Sequence, residues 1–291
     1  MKQGIKIGIG ILLFSVSLLL FFCPNIRELQ MSRTVDQTIE QFQAAQETTG
    51  QSESDALCQQ LQAYNQSLTA NGQTLTDAWD YEQAPITVEY MPSDGIIGYI
   101  EIPDMEVRLP LLLGASEENL AKGAAVLSQT SMPIGGESTN CVIAGHRGYR
   151  GSPYFRNIQR LQVGSAVYVT NPWETLEYTV TGFDIIQPSD LDAILIQPGK
   201  DMVTLLTCHP YASRGEYRYV VYCQRADTVS PEQLVALQNA PSTVYISDQA
   251  AQSDAYMRLE DILRIALPAM VAAIILAALL LRLIKCRKKR K

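Results

Sequence analysis

The stretch MVTLLTCHP (202–210), followed by RYVVYC (218–223), decides how this 291-residue chain folds. Both runs are rich in Val, Leu and Tyr, and a loop containing Pro and Gly separates them, which is typical of two β-strands. Strands that follow one another in sequence usually pair, so we expect these two to lie side by side. Because the first ends near Cys208 and the second begins at Arg218, both side chains should lie at one edge of the sheet.

Five further runs have the same texture and are bounded by Gly, Pro, Asn or Asp: GIIGYIEI (95–102), EVRLPLLL (106–113), NCVIAGH (140–146), AVYVT (166–170) and LEYTVTGFDII (176–186). One clear helical segment, SEENLAKGA (116–124), lies among them. Many short strands with a single helix predict a mainly β fold, either a closed barrel or a sandwich.

Helical segments flank the predicted strands. Residues 31–75 are rich in Gln, Thr, Ser and Glu, and their scattered apolar residues have helical spacing, which predicts a helical stalk. Asn71-Gly72 is a turn signal that should end it. On the other side of the strands, PEQLVALQN (231–239) predicts another helix.

The two ends of the chain carry apolar runs, Ile7–Cys23 and Ile265–Leu281, each about 17 residues long, which predicts a transmembrane helix at each end. Lysines precede the first run and a basic tail (282–291) follows the second, so the positive-inside rule places both termini in the cytoplasm and residues 24–261 outside. A cleaved signal peptide or a lipid-modified Cys23 is the alternative at the first run. Its exit lacks a small-x-small site, which favours an uncleaved anchor.

The charge balance excludes one class of function. Nine of the 23 basic residues lie at the two ends, which leaves 14 against 30 acidic residues in the segment between the apolar runs. Nucleic-acid binding needs a basic surface, so we expect no nucleic-acid partner. The six cysteines show neither a disulfide framework nor a CxxC metal pair, so we expect no metal and no cofactor.

Cys208 is the candidate nucleophile because it lies where a strand meets a loop, held in place yet accessible. A cysteine nucleophile needs an acid/base partner, and the chain has two histidines, His146 and His209. Neighbours on a strand point to opposite faces, so His209 should face away from Cys208. His146 ends its own strand and is the better partner.

Arg218 is the candidate electrostatic stabiliser, since a guanidinium beside the thiol lowers its pKa and binds an oxyanion. Arg214 is its nearest competitor, but it lies in the middle of the loop. Four other cysteines have ordinary structural interpretations. Cys141 and Cys223 lie in predicted core strands, Cys58 lies on the stalk helix, and Cys286 lies at the cytoplasmic edge of the membrane.

The stretch TLLTCHP followed by RYVVYCQR resembles the TLxTC…R signature of the sortase family, and VIAGHRG resembles its histidine segment. GYIEIP (98–103), residues 109–138 and PGKDMVTLLTC (198–208) also match, so the resemblance covers about residues 95–226. It implies an eight-stranded barrel, an LPXTG-like sorting-signal substrate and a thioacyl enzyme resolved by an amine. The catalytic roles fall on His146, Cys208 and Arg218, although the Cys-to-Arg spacing of ten is one longer than the family pattern.

Two apolar ends, a long N-terminal extension and GGES (135–138) are similar to class C sortases, which polymerise pilins and carry a lid with an Asp-Pro-aromatic motif. Asp77-Ala78-Trp79 occupies the expected place without the proline. We expect Asp77 to pair with Arg218 and Trp79 to cover Cys208. An exposed ion pair contributes only about 0–1 kcal/mol, so closure should rest mainly on the indole.

Three functions remain open at this point: pilus assembly through a pilin lysine, anchoring of surface proteins to a peptidoglycan amine, and a catalytically silent membrane scaffold. The intact Cys, His and Arg set argues against the third, and the lid favours the first. LPLLLG (109–114) superficially resembles a sorting signal, but it lies in a predicted strand. We predict five segments along the chain: an N-terminal anchor (1–23), a stalk and lid (24–84), the barrel (85–228), a helical linker (229–261), and a transmembrane helix with a basic tail (262–291).

Overall fold

A computed structural model of the chain describes residues 29–81, 95–148, 154–211 and 215–240, together with positions 15, 84, 86 and 88 and short runs between 255 and 278. Eight strands lie in these residues: β1 (Ile96–Ile102), β2 (Val107–Leu113), β3 (Ala124–Val126), β4 (Thr139–Ala144), β5 (Ala166–Thr170), β6 (Thr175–Ile186), β7 (Asp201–His209) and β8 (Tyr217–Arg225).

The strands close into a barrel in the order β1, β2, β3, β4, β7, β8, β6, β5. Neighbouring strands are antiparallel except in two pairs, β2 with β3 and β4 with β7, which are parallel. The closed eight-stranded barrel is confirmed. Its shortest strand, β3, was not visible in the sequence because three residues are too few to show alternation, and the predicted helix extended into its first residue.

The described helices are α1 (29–48), α2 (Gln51–Asn71), α3 (Glu117–Lys122) and α4 (Pro231–Asn239), with 3₁₀ turns at Pro103–Met105, Ile158–Arg160, Leu191–Ile194 and Ala226–Thr228. Side-chain caps fix where the two later helices begin. The hydroxyl of Ser116 accepts a hydrogen bond from the backbone N–H of Asn119, and Ser230 does the same for Gln233. Gly72 ends α2 with φ of 81°, a conformation that suits glycine and agrees with the predicted turn.

The predicted stalk packs against the barrel. Ile39 of α1 and Leu61 of α2 are buried in the same apolar cluster as the barrel interior. Asn65 is also buried, and its Oδ1 accepts a 2.7 Å hydrogen bond from the backbone N–H of Met132. This docking was not apparent in the sequence because α1 and α2 carry few apolar residues among many Gln and Ser.

Strands β4, β7 and β8 are apolar on both faces. Alternate residues such as Val203 and Leu205 point into the barrel, whereas Leu206 and Val220 belong to a second cluster on the outer face. Ala78, in the segment that follows α2, is fully buried in this second cluster. The segment that precedes the barrel therefore covers part of the outer face of these strands.

The membrane expectations lie largely outside the described residues. Of the first apolar run only Ser15 is described, and the second run is described in part. No helix within the described positions is long and apolar enough to cross a membrane. The two transmembrane helices therefore stay predictions, and Cys23, Arg214 and Cys286 also lie outside the described residues.

Candidate active site

The register of three neighbouring strands brings the predicted catalytic residues into one row. Strand β4 runs parallel to β7 with Ala144 opposite Leu206, and this register, continued by two residues, sets His146 beside Cys208. Strand β8 runs antiparallel on the other side of β7, with Arg218 directly opposite Cys208. Because neighbouring strands lie about 4.8 Å apart, one thiol has an imidazole on one side and a guanidinium on the other.

Local contacts extend the alignment beyond the end of β4. The Thr207 hydroxyl donates a 2.7 Å hydrogen bond to the carbonyl of Gly145, and the Gly145 N–H donates to the carbonyl of Leu206. A side chain at Gly145 would lie 2.9 Å from the ring of Phe155, so glycine is required there. Phe155 in turn donates its N–H to the carbonyl of His146 at 2.9 Å. The histidine is thus held by its backbone.

The thiol and the imidazole are both neutral at pH 7 in this structure. Burial raises the pKa of the Cys208 thiol to about 11, and the Arg218 and Arg147 cations only partly offset the effects of burial and of Asp77. Burial also lowers the pKa of His146, although the Glu117 carboxylate opposes this. The pair is therefore in a resting state, and formation of the thiolate requires a change in its surroundings.

Asp77 binds the Arg218 head group in a two-pronged arrangement. Nε of Arg218 donates to Oδ1 at 2.7 Å and Nη2 donates to Oδ2 at 2.6 Å. The side chains are only 7% and 5% exposed, so this is a buried pair rather than the exposed pair expected from the sequence. Burial tends to lower the pKa of Arg218, but its bonds to Asp77 outweigh this and raise it. Arg218 is thereby held away from any other anion.

The indole of Trp79 packs over Arg218 and lies close to His146. The centre of the Arg218 guanidinium lies 4.7 Å from the centre of the indole ring, a cation–π distance. The indole also lies 6.5 Å from the imidazole of His146, measured between ring centroids. The backbone N–H of Trp79 donates to the Asp77 carboxylate at 3.1 Å, which ties the two lid residues together. The segment 77–79 therefore contacts two of the three residues in the row.

Gly215 belongs to the site although sequence reasoning passed over it. Its φ of +75° favours glycine, and a Cβ there would lie 3.1 Å from the Cys208 sulfur and 3.0 Å from Nη1 of Arg218. Its carbonyl accepts a 2.6 Å hydrogen bond from that same Nη1. The signal in the sequence is a glycine three residues before the arginine, and its meaning depends on knowing the register.

His209 lies on the opposite face of β7 from Cys208, as the alternation of side chains along a strand predicts. It is 4% exposed, and its Nδ1 is 2.6 Å from Nη1 of Arg147. Burial and the Arg147 cation lower the pKa of His209 to about 4, so it is neutral. Arg147 was not singled out in the sequence, because its partner is 62 residues away and only the β4–β7 register reveals it.

The other described cysteines are not placed for chemistry. Cys141 and Cys223 are buried in the strands, and burial raises the pKa of both thiols. Cys58 is partly buried on α2, and its pKa is also raised by burial. Among the residues that the structure describes, no three His, Cys, Asp or Glu side chains cluster in a way that would hold a metal ion.

A cleft of about 640 Å³ lies between α2 and loop 134–139. Gln62, Gln66 and Thr69 line it on the α2 side. It is at the start of β4, whereas the row of catalytic residues lies beyond the end of that strand. We therefore place the active site at the row, where three chemically suited side chains converge, and not at this cleft.

Known proteins resemble this chain in sequence and fold. The family model described as the sortase domain matches residues 100–226, from β1 to just past β8. Sortase A of Bacillus anthracis is 32% identical over 126 residues, which is 43% of this chain and 58% of that protein, so the chain spans little more than half of this curated relative.

Solved structures cover more of the fold. Sortase C of Streptococcus pneumoniae is 31% identical with a TM-score of 0.59, and the match covers 65% of this chain and 96% of that one. Sortase C1 of Streptococcus agalactiae, solved in complex with MTSET, is 31% identical with a TM-score of 0.60, covering 64% and 97%. With the barrel, the row of Cys, His and Arg, and these similarities all in agreement, the chain belongs to the sortase family of cysteine transpeptidases.

Proposed function

We propose that this chain is a membrane-anchored transpeptidase that cleaves an LPXTG-like sorting signal and joins it to an amine, most suitably a pilin lysine. The observation that carries the proposal is the strand register, which places Arg218 opposite Cys208 and, continued two residues past the end of β4, places His146 on the other side of Cys208. A thiol between an acid/base group and a fixed cation suits acyl transfer through a thioester. These three side chains suit acyl transfer better than they suit redox or phosphoryl chemistry.

In the first half-reaction His146 takes the proton of Cys208, and the thiolate attacks the scissile carbonyl of the signal peptide. The carbonyl oxygen becomes an oxyanion, and Arg218 on the neighbouring strand stabilises it. Collapse breaks the peptide C–N bond, and the His146 imidazolium gives its proton to the leaving amine. The acyl group then remains on Cys208 as a thioester.

In the second half-reaction an incoming amine attacks the thioester, and His146 accepts the proton that the amine loses. The C–S bond breaks and Cys208 leaves as a thiolate, which takes the proton back from the His146 imidazolium, so the neutral pair is restored and a new amide is formed. Water competes with the amine at this step. A cover over the thioester favours transpeptidation because it excludes water.

The lid must open before either half-reaction. Arg218 has its donors bound to Asp77 and to the carbonyls of Gly215 and Tyr217, so an oxyanion has to displace the carboxylate. We infer that opening also gives water more access to the thiol, and burial is the main cause of its high pKa. We infer that segment 77–79 gates the site, and that substrate binding and lid release are linked.

Two observations support a pilin lysine as the natural amine. The segment over the site carries Asp77 and Trp79 in the place where class C sortases carry their lid, and the solved sortase C of S. pneumoniae is described in terms of pilin substrate specificity. A peptidoglycan amine is the second candidate, because sortase A proteins are also among the relatives. The two candidates differ in the acceptor and share the chemistry at Cys208.

The anchoring rests on the sequence. Apolar runs at 7–23 and 265–281, each beside basic residues, support a chain fixed at both ends with its barrel outside the cell. A barrel held close to the external face of the cell membrane suits a substrate that is itself delivered across that membrane.

Replacing Cys208 by Ala should abolish both cleavage and ligation of an LPXTG peptide, because only the sulfur forms the thioester. His146→Ala and Arg218→Ala should each lower kcat/KM by roughly a hundredfold or more. His209→Ala should cost much less, since that ring faces the barrel interior. Peptide cleavage by the full-length chain, followed by mass spectrometry, measures all four. An inactive His209 variant beside an active His146 variant would reverse the assignment.

Acceptor choice can be measured in the same assay by competition. A pilin-derived peptide with one lysine and a peptidoglycan stem peptide with a free amine are supplied together at equal concentration. We expect the lysine peptide to dominate the ligated product, and a lysine-to-arginine version of it serves as the control. Dominance of the stem peptide would favour the cell-wall function and leave the chemistry intact.

Opening the lid should activate the thiol. With a pKa near 11, Cys208 is almost fully protonated at pH 7.5, and each unit by which the pKa falls raises the thiolate fraction about tenfold. Asp77→Asn removes one partner of a buried pair, and leaving the other unpaired is costly, so this variant should open the lid at least as effectively as Trp79→Ala. Alkylation of Cys208, followed on its own peptide by mass spectrometry, should speed up about tenfold in both.

Asp36→Asn is the control for the lid, because Asp36 is an exposed acid on α1, outside segment 77–79. It should alkylate at the wild-type rate. Equal rates in the wild-type, Asp77 and Trp79 chains would show that segment 77–79 does not gate the thiol.

Topology is tested with reporters at the two ends and in the barrel. A reporter that works only in the cytoplasm should be active when it is fused after Lys291. Cysteine-reactive probes applied outside the cell should reach a cysteine introduced on α4. A C-terminal reporter that is active only outside would overturn the orientation. Loss of the residues before Pro24 from the mature chain would leave a single anchor.

A further inference from the structure

A second row of residues lies directly behind the catalytic row. The 62-residue offset of the β4–β7 register, continued past Ala144, places His146 beside Cys208 and Arg147 beside His209, and the side chains of Arg147 and His209 are in contact. Side chains alternate along β7, so His209 points away from the catalytic groove, and the Arg147 head group contacts its ring on that side. Arg147 and His209 are both buried, at 7% and 4% exposure.

Arg147 makes directed contacts with the end of β7. Its Nη1 lies 2.6 Å from Nδ1 of His209 and 3.5 Å from the backbone carbonyl of Cys208. Its Nη2 donates to the side-chain carbonyl of Gln159 at 2.9 Å, and its guanidinium lies over the ring of Tyr219 at 5.7 Å. One side chain therefore touches the backbone of the nucleophile, the residue after it and the neighbouring strand.

The charge state of His209 follows from this contact. A guanidinium can only donate, so Nδ1 of His209 must accept, and the ring is neutral with its proton on Nε2. A protonated ring would place two cations together in a buried site. His209 is thus suited to receive Arg147 and unsuited to act as an acid or base for Cys208.

The contacts of Arg147 link the two segments beyond the last backbone hydrogen bonds between β4 and β7. Strand β4 ends at Ala144, two residues before His146, whereas β7 continues to His209. Beyond the bonds between Gly145 and β7, the side chain of Arg147 continues the attachment between the two strands. The nucleophile lies in this last part of β7, where a small shift of the backbone displaces the sulfur.

We propose that Arg147 is a positioning residue that holds the end of β7 from behind, through the Cys208 carbonyl and the His209 ring, and so fixes the sulfur between His146 and Arg218. The inference rests on the proposed function, because it concerns the same nucleophile. The positive charge of Arg147 also favours the thiolate, in addition to its effect on position. We call this group of Arg147, His209 and Gln159 the rear clamp.

Arg147→Met tests the rear clamp in the full-length chain, because methionine keeps an unbranched apolar stem over Tyr219 but cannot donate. Misplacement of a reacting group by about 1 Å can cost roughly a hundredfold in rate, so kcat for cleavage of an LPXTG peptide should fall between tenfold and a hundredfold. KM should stay within about twofold, because the groove is not altered. Arg147→Lys should recover part of the loss, since one ammonium can reach one of the two acceptors.

Arg225→Met is the matched control. Arg225 lies at the far end of β8, 3.6 Å from Asp201 and over the ring of Tyr178, so the change removes a similar arginine with similar contacts. It should leave kcat unchanged. A purely structural role for Arg147 predicts that both variants lose melting temperature equally and that neither loses kcat, and that result would overturn the proposal.

The alkylation rate of Cys208 separates this proposal from the proposed function, because it needs no peptide substrate. Measured with Asp77→Asn present so that the lid is open, it should fall several-fold on adding Arg147→Met and recover in part with Arg147→Lys. An unchanged rate would overturn the rear clamp. A wild-type chain that alkylates normally but ligates no sorting peptide would instead count against the proposed function alone.

His209 provides a second pair of variants in case Arg147→Met does not fold. Asparagine places an acceptor close to the position of Nδ1, whereas leucine keeps the bulk without an acceptor. His209→Leu should therefore lower kcat several-fold more than His209→Asn, with the same KM. Equal kcat in the two variants would show that the contact with Arg147 does not position the nucleophile.

Discussion

The register of β7 between β4 and β8 is the constraint on which the rest of the site depends. Side chains alternate along each strand, so a slip of one residue would move Cys208 to the barrel interior and bring His209 into the groove. Both faces of these strands are buried, which makes any slip costly. The same packing that stabilises the barrel therefore sets His146, Cys208 and Arg218 side by side.

In the proposed mechanism Arg218 has two incompatible tasks. In the structure its donors bind Asp77 and two backbone carbonyls, whereas the proposed mechanism requires it to face an oxyanion. A buried ion pair is worth little in net terms because the desolvation of both charges offsets their attraction. The closed lid can therefore cover the site and neutralise the charge of Arg218. A polar or anionic substrate group can still displace Asp77 from the guanidinium.

The sequence predicted that Cys208 and Arg218 lie together, with His146 as the better-placed histidine, because strand ends, pairing of sequential strands and alternation are local properties. Arg218 lies directly opposite Cys208 although the spacing of ten is one longer than the family pattern. Sequence reasoning failed where long-range contacts decide the outcome. The docking of α1 and α2, the burial of the Asp77–Arg218 pair and the contact of Arg147 with His209 all join segments more than 50 residues apart. Strand β3 was missed because it is short and is defined by its neighbours.

The most direct test of the register is a pair of single cysteine substitutions at the end of β4, each oxidised mildly and mapped by peptide mass spectrometry. Neighbouring strands lie about 4.8 Å apart, within the Cα separation that a disulfide spans, and the side chains must also point to the same face. The account predicts that His146→Cys gives a disulfide with Cys208 and that Arg147→Cys does not. A disulfide between Cys208 and the cysteine at position 147, with none at position 146, would contradict it.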